Sequence, residues 1–221
     1  MSRKNISQEK IIQAFISCAF DKSAGGTSLA DISEILEIKK ASLYNHFSSR
    51  DEMYNAAVEF CGRQIGAVHF MQEKTLESAR NQKTSITALF KNHTTRFFER
   101  YGNEPLFEMY VFIRTEQYFN QNALRIIEKE EADFCEEIMQ ILLAFSAAEK
   151  IARKTERELK DVSAALTNLI FQQRDFYIAR RKETVRQNPE SGAGSLFALP
   201  TDENFLGRTL RLQDAILKTL L

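Results

Sequence analysis

Cysteine, proline and tryptophan are scarce in this chain, with three, three and none among 221 residues, alongside only eight glycines. Cys18, Cys61 and Cys135 are single and widely spaced, so neither a disulfide framework nor a zinc knot is written here. Free thiols in a reducing compartment are the expectation, with redox sensing by Cys61 or Cys135 as the alternative. Little Pro and Gly, against recurring Ala, Leu, Ile, Glu, Lys and Gln, favours helices over sheets. No apolar stretch approaches the length of a membrane span, and the polar start Ser2-Arg3-Lys4-Asn5 does not read as a signal peptide. A cytoplasmic protein without a membrane partner is expected. A phosphate-cradling glycine loop, paired catalytic carboxylates and a His pair at metal spacing are all missing; His46, His69 and His93 are scattered. Enzymatic activity, a metal and a cofactor are therefore not expected.

What is present is a helical, globular composition: 43% hydrophobic, 27% charged and a net charge of zero. The neutral average counts mildly against a nucleic-acid binder, and residues 1–50 hold only seven basic residues against five acidic ones. Placement of charge therefore matters more than its sum. The most organised stretch is Thr27–Met53, TSLADISEILEIKKASLYNHFSSRDEM. Ser28 stands three residues ahead of Asp31, so hydroxyl and carboxylate can each satisfy the other's neighbouring backbone N–H. Leu29, Ile32 and Leu36 then fall on one helical face. Leu43 and Phe47, an i, i+4 pair, point inward and leave Ala41, Ser42 and Asn45 outward with Tyr44 and His46 at the flanks. Ser49 and Glu52 form a second capping box that opens a longer helix. Two short helices about a tight turn, the second showing small and polar groups outward, make a helix-turn-helix.

The run ADISEILEIKKASLYNHFSSRDEM resembles the DNA-binding segment of TetR-family transcriptional regulators, whose recognition helix ends in a Leu-Tyr-x-His-Phe-like run, here Leu43 to Phe47. That close match covers roughly the first quarter of the chain; the remainder fits in length and helical character. The resemblance implies an all-α homodimer. Its N-terminal three-helix DNA-binding head spans residues 1–50, and a C-terminal helical body over 51–221 binds a small effector and dimerises. Family members usually carry Gly at the corner occupied by Glu37 and often Ser at the position of Lys39. A left-handed residue other than Gly costs about 1–2 kcal/mol, and a missing N-cap side chain about 1 kcal/mol.

The DNA-binding set read from this segment is Thr27, Ser28, Lys39, Lys40, Ala41, Ser42, Tyr44, Asn45, His46 and Arg50. Lys39 and Lys40 face the positive end of their helix dipole, at a cost of some tenths of a kcal/mol each, unless phosphates repay it. Small side chains let backbone approach a groove wall, and Asn45 can read adenine with paired hydrogen bonds. Tyr44 and His46 would bond backbone phosphates. Arg50, in a first helical turn, can pair with a phosphate there. Ahead of this segment, a first helix over Ser7–Asp21 buries Ile11, Ile12, Phe15, Ile16, Ala19 and Phe20, and Gly25-Gly26 ends it.

Beyond the head, a helix from Ser49 through Val68 connects to a polar, exposed turn over residues 73–84. Residues 86–119 are aromatic-rich, broken into two helices by Gly102, Asn103 and Pro105. An aromatic stripe at helical spacing is usually core. This density, with polar groups interspersed, also suits a pocket for a small apolar or aromatic effector lined by Phe90, His93, Phe97, Tyr101, Phe107, Tyr110, Arg114 and Phe134. Helices follow over residues 123–148 and from a third capping box at Thr155 and Glu158. A loop covers residues 188–194, and a last helix begins at Thr201-Asp202. Leu159, Val162, Leu166, Leu169 and Phe176, with Leu206, Leu210 and Leu217, either close an intramolecular bundle or build a four-helix interface with a second copy. The resemblance implies the second. The leading function is a ligand-responsive dimeric repressor on double-stranded DNA with a palindromic operator. The alternative is a helical protein-interaction module that keeps the head fold without specific DNA binding.

Overall fold

The computed structural model describes residues 6–81, 84–188 and 203–221, and every regular element among them is helical. The elements are α1 (Gln8–Gly26), α2 (Leu29–Ile35), α3 (Lys40–Leu43), α4 (Arg50–Gly66), α5 (Thr75–Arg80), α6 (Ile86–Tyr101), α7 (Leu106–Glu116), α8 (Gln121–Ala147), α9 (Glu156–Gln187) and α10 (Glu203–Leu217). A closing 3-10 turn spans Lys218–Leu220. The chain divides into two compact units, residues 1–68 with 105–129, and residues 69–104 with 130–221. The unit that holds the head thus runs past residue 50 and includes α4 and α7.

Local chemistry sets the helix ends. Ser28 with Asp31, and Thr155 with Glu158, make full capping boxes. At α4 the box is shifted. Ser49 accepts from the Glu52 N–H, while the Glu52 carboxylate reaches one residue further, to the N–H and hydroxyl of Ser48, both at 2.6 Å. Gly25-Gly26 is not where α1 turns. Ser23 takes the left-handed conformation, φ 69°, and the chain kinks there. The end of α2 is a Schellman motif. Glu37 sits at φ 53°, its N–H bonds the Glu34 carbonyl, and the Ile38 N–H bonds the Ser33 carbonyl. The end of α8 repeats this, with Glu149 at φ 55° and Lys150 bonded back to the Phe145 carbonyl.

In the first unit α7 packs on α1 and α4. Phe15, Tyr54 and Phe112 form a triangle of rings with centroids 6.2 Å apart, and Phe20 meets Phe107 edge-on at 5.2 Å. Two carboxylates on α7 tie this contact. Glu108 accepts from the Ser17 hydroxyl at 3.0 Å and buried Glu116 from the Tyr54 hydroxyl at 2.8 Å. That bond and burial push the Tyr54 phenol up to about 12, burial being the larger cause.

In the second unit, Phe70, Phe90, Phe97, Phe134 and Phe171 are mutually packed rings, with centroid spacings from 4.7 to 6.2 Å. The polar stretch 73–84, expected as an exposed turn, is instead organised around α5, with Thr75 and Ala79 buried; residues 82–83 lie outside the described residues. Its polar composition is explained by what holds it. Thr75 bonds His93, and the Lys150 ammonium donates to the carbonyls of Ala79 at 2.9 Å and Asn81 at 2.8 Å, and to that of Thr84. On α10 the buried row is Phe205, Thr209, Gln213 and Leu217, at four-residue steps. Leu206, Leu210 and Ile216, expected inward, are half-exposed. The expected loop over 188–194 and the helix start at Thr201-Asp202 lie outside the described residues, apart from Asn188 at the end of α9.

Candidate nucleic-acid interface

The helix-turn-helix expected from the sequence is formed by α2, the Glu37 corner and α3. Ile32 and Leu43 are fully buried and Leu29 and Phe47 nearly so, which fixes the inner face. The opposite face is open. Lys39, Lys40, Ala41, Tyr44 and Asn45 are exposed, Tyr44 at 52%, and Ser42 and His46 are half-exposed. Regular α-helix covers only Lys40–Leu43; the next residues continue as tighter turns, Asn45 N–H to Ser42 and His46 N–H to Leu43. Lys39 precedes the helix with extended backbone and no side-chain cap. The left-handed corner forms with Glu37 at the position where the family usually carries Gly.

Two residues of the expected set point elsewhere. Thr27 is buried, 2% exposed, and its hydroxyl donates to the Ser23 carbonyl at 2.8 Å. Arg50 turns inward. Its Nε donates to the Thr27 carbonyl at 3.0 Å, its Nη2 to the Ala24 carbonyl, and its guanidinium lies 5.7 Å from the Phe15 ring centre. Ser28 is exposed, but its hydroxyl is held in the capping box by Asp31. Asp31 also pairs with Lys22 at 2.6 Å; Lys22 and Ser28 together hold its carboxyl well below the usual carboxylate range. A contact that sequence reasoning missed is Gln8, whose amide donates to the His46 carbonyl at 2.9 Å. Gln8 opens α1, and nothing in its own sequence neighbourhood signals a partner 38 residues away.

The expected effector set is divided between the units. Phe107, Tyr110 and Arg114 lie on α7 in the first, while Phe90, His93, Phe97, Tyr101 and Phe134 lie in the second. Arg114 bonds Gln117 at 3.2 Å. The five in the second unit are all buried. Tyr118 and Phe119, counted with this aromatic stripe, are 79% and 83% exposed, because α7 has already ended at Glu116. His93 donates from Nδ1 to the Leu89 carbonyl at 2.9 Å, since a carbonyl only accepts. Its Nε2 then accepts from the Thr75 hydroxyl at 2.8 Å, and that oxygen accepts from the Gln72 N–H. Burial first, then the Arg96 charge, lowers its pKa. An open hollow of about 410 Å³ in the first unit is lined by Val58, Glu59, Gly62, Arg63, Asn122 and Ile126, none of them in the expected set.

The expected interface residues also separate. Leu159, Leu166 and Leu217 are buried in their own unit. Val162, Leu169, Leu206 and Leu210 are half-exposed, and Phe176 is 54% exposed. Val162, Leu169 and Phe176 are seven residues apart, one apolar stripe along α9. The thiols of Cys18 and Cys61 are buried, and burial pushes Cys18 up to about 11 and Cys61 further still.

Residues 11–57 match the family described as bacterial regulatory proteins, tetR family. A 54-residue stretch is 44% identical to the negative transcriptional regulator IcaR of the biofilm operon icaADBC in Staphylococcus epidermidis, covering 24% of this chain and 29% of that protein. An 84-residue stretch is 33% identical to IcaR of Staphylococcus aureus strain Newman, covering 38% and 42%. The matched segment thus spans less than half the length of these relatives. The fold is similar over nearly the whole chain to solved structures. A TetR transcription regulator from Haloarcula marismortui has TM-score 0.60 at 10% identity, with 97% of each chain covered. A TetR-like transcriptional regulator from Rhodococcus sp. RHA1 has TM-score 0.58 at 15% identity, with 99% of each covered.

Proposed function

We propose that the chain, whose residues 11–57 match the tetR family of bacterial regulatory proteins, is a member of that family and a non-enzymatic DNA-binding transcription factor, a dimeric repressor released from an inverted-repeat operator by a small effector. The observation that carries this reading is the two-sided segment Lys39–Phe47. Leu43 and Phe47 anchor it in the core, while Lys39, Lys40, Ala41, Tyr44 and Asn45 stand clear of protein. The lysines neutralise phosphates, Asn45 reads a base edge, and Tyr44 and His46 bond the backbone. Head residues 1–50 carry recognition, and 51–221 carry dimerisation and effector binding.

The stripe of half-exposed Val162 and Leu169 with exposed Phe176 on α9, together with half-exposed Leu206 and Leu210 on α10, which packs on α9, supports a four-helix interface with a second copy. The aromatic interior of the second unit supports an apolar or aromatic effector. Coupling between the sites is reciprocal, so operator DNA weakens effector binding by the factor by which effector weakens operator binding. A mobility-shift titration against the DNA flanking its own gene tests the reading. A salt-sensitive shift that exceeds the shift of unrelated DNA is expected, and equal weak shifts on both would contradict it.

A further inference from the structure

Arg50 has the chemistry of a phosphate ligand and the geometry of an internal clasp. Its Nε and Nη2 are both spent on backbone carbonyls, those of Thr27 and Ala24. Both carbonyls lie in the segment between the kink at Ser23 and the start of α2. The guanidinium also lies over the Phe15 ring, and its third nitrogen is 4.0 Å from the carboxylate of Asp51, which is 87% exposed. An exposed carboxylate at that distance repels an approaching phosphate. The planar fork of an arginine can bridge two carbonyls in one plane, which a lysine ammonium on its flexible stem cannot do with the same fixed direction.

The chain between the clasped points is the helix-turn-helix itself. Residues 28–49 contain α2, the Glu37 corner and α3, and Arg50 fastens the end of that stretch to its beginning. A second tie, from the Gln8 amide to the His46 carbonyl, holds the last turn of the recognition segment to the start of α1. We propose that Arg50 is a positioning residue: it closes the recognition segment into a ring and sets its pose for the groove, without itself neutralising a phosphate. This inference rests on the DNA-binding reading above and assigns a role within it.

The test uses the full chain, a duplex selected by the wild-type protein from a randomised pool, and a scrambled duplex of the same composition. Affinity is followed by fluorescence anisotropy across a range of salt concentrations for wild type, Arg50→Ala, Arg50→Lys and, as a phosphate-contact control, Lys39→Ala, with thermal melts alongside. Arg50→Ala is expected to lose on the order of 10-fold for the selected duplex, to keep its affinity for the scrambled one, and to keep the wild-type slope of log affinity against log salt. Arg50→Lys is expected to behave like Arg50→Ala, and it carries the test if the melts show Arg50→Ala unfolded. A slope shallower by about one in Arg50→Ala, as for a lost phosphate contact, or full recovery by Arg50→Lys, would overturn the positioning role while leaving DNA binding intact. Absence of salt-dependent binding by the wild-type chain would overturn the DNA-binding reading, and this role with it.

Discussion

Arg174 and Glu130 form an ion pair in the interior of the second unit, with side chains 0% and 5% exposed. The guanidinium lies 4.0 Å from the ring centre of Phe171, 4.6 Å from Tyr101 and 5.3 Å from Phe97, and the Tyr101 hydroxyl also donates to Glu130. A buried pair of this kind costs more to break than it contributes when whole, since removing one partner strands a charge. Glu130→Ala is therefore expected to destabilise the fold by about 3–5 kcal/mol, while the double replacement Arg174→Met with Glu130→Leu costs much less. Urea unfolding of the three proteins checks this, and equal losses in single and double variants would contradict it.

The corner between α2 and α3 is strained at Glu37, whose φ of 53° suits glycine. Both Schellman hydrogen bonds are backbone bonds, so they survive loss of the side chain. Glu37→Gly is expected to gain about 1 kcal/mol from relieved strain, less a few tenths for the freer unfolded chain. A rise in melting temperature with unchanged DNA affinity is the predicted result.

Acid sensitivity follows from His93. Its folded pKa lies below the ordinary value of 6.5, through burial and then Arg96. The unfolded chain therefore takes up the proton first as pH falls. The stability tied to the neutral ring is complete above pH 6.5 and is lost as pH falls towards the folded pKa. His93→Gln is expected to flatten the stability profile in that window. A second loss at lower pH remains, because Asp31 is held below its ordinary value by Lys22 and then Ser28, and Glu52 and Glu158 by hydrogen bonds at helix starts.

Lys39 and Lys40 are exposed, and among the described residues neither side chain is held by a hydrogen bond or an ion pair. Replacing both with alanine is expected to weaken binding to every duplex and to make the salt slope shallower by up to about two. Stability should be unchanged. An unaltered slope would remove both from the phosphate contacts.

The head was legible because its signals are local. Ser28 with Asp31 marks a helix start, and Leu43 with Phe47 marks an inner face, so the outward face follows by subtraction. Arg50 was legible as a residue type but not as a direction, since its acceptors Thr27 and Ala24 lie 23 and 26 residues back. The division of the aromatic set between the two units was not legible, for a similar reason. Periodicity tells which residues are buried, not that α7 packs on α1 and α4 and so carries Phe107 and Tyr110 into the first unit. On α9, spacing put Leu159, Leu166 and Phe176 on one list, whereas the first two are core and Phe176 is exposed. Ser23 took the left-handed turn although two glycines follow it.

Selection of duplexes from a randomised pool by the purified chain tests the central claim most directly, because it asks at once whether Lys39–Phe47 reads DNA and whether two copies read it together. The account predicts enrichment of an inverted repeat with half-site centres about 34–36 Å apart or a multiple of that, with one position in each half relaxed by Asn45→Ala. No enrichment, or a single asymmetric site bound by one chain, would contradict it.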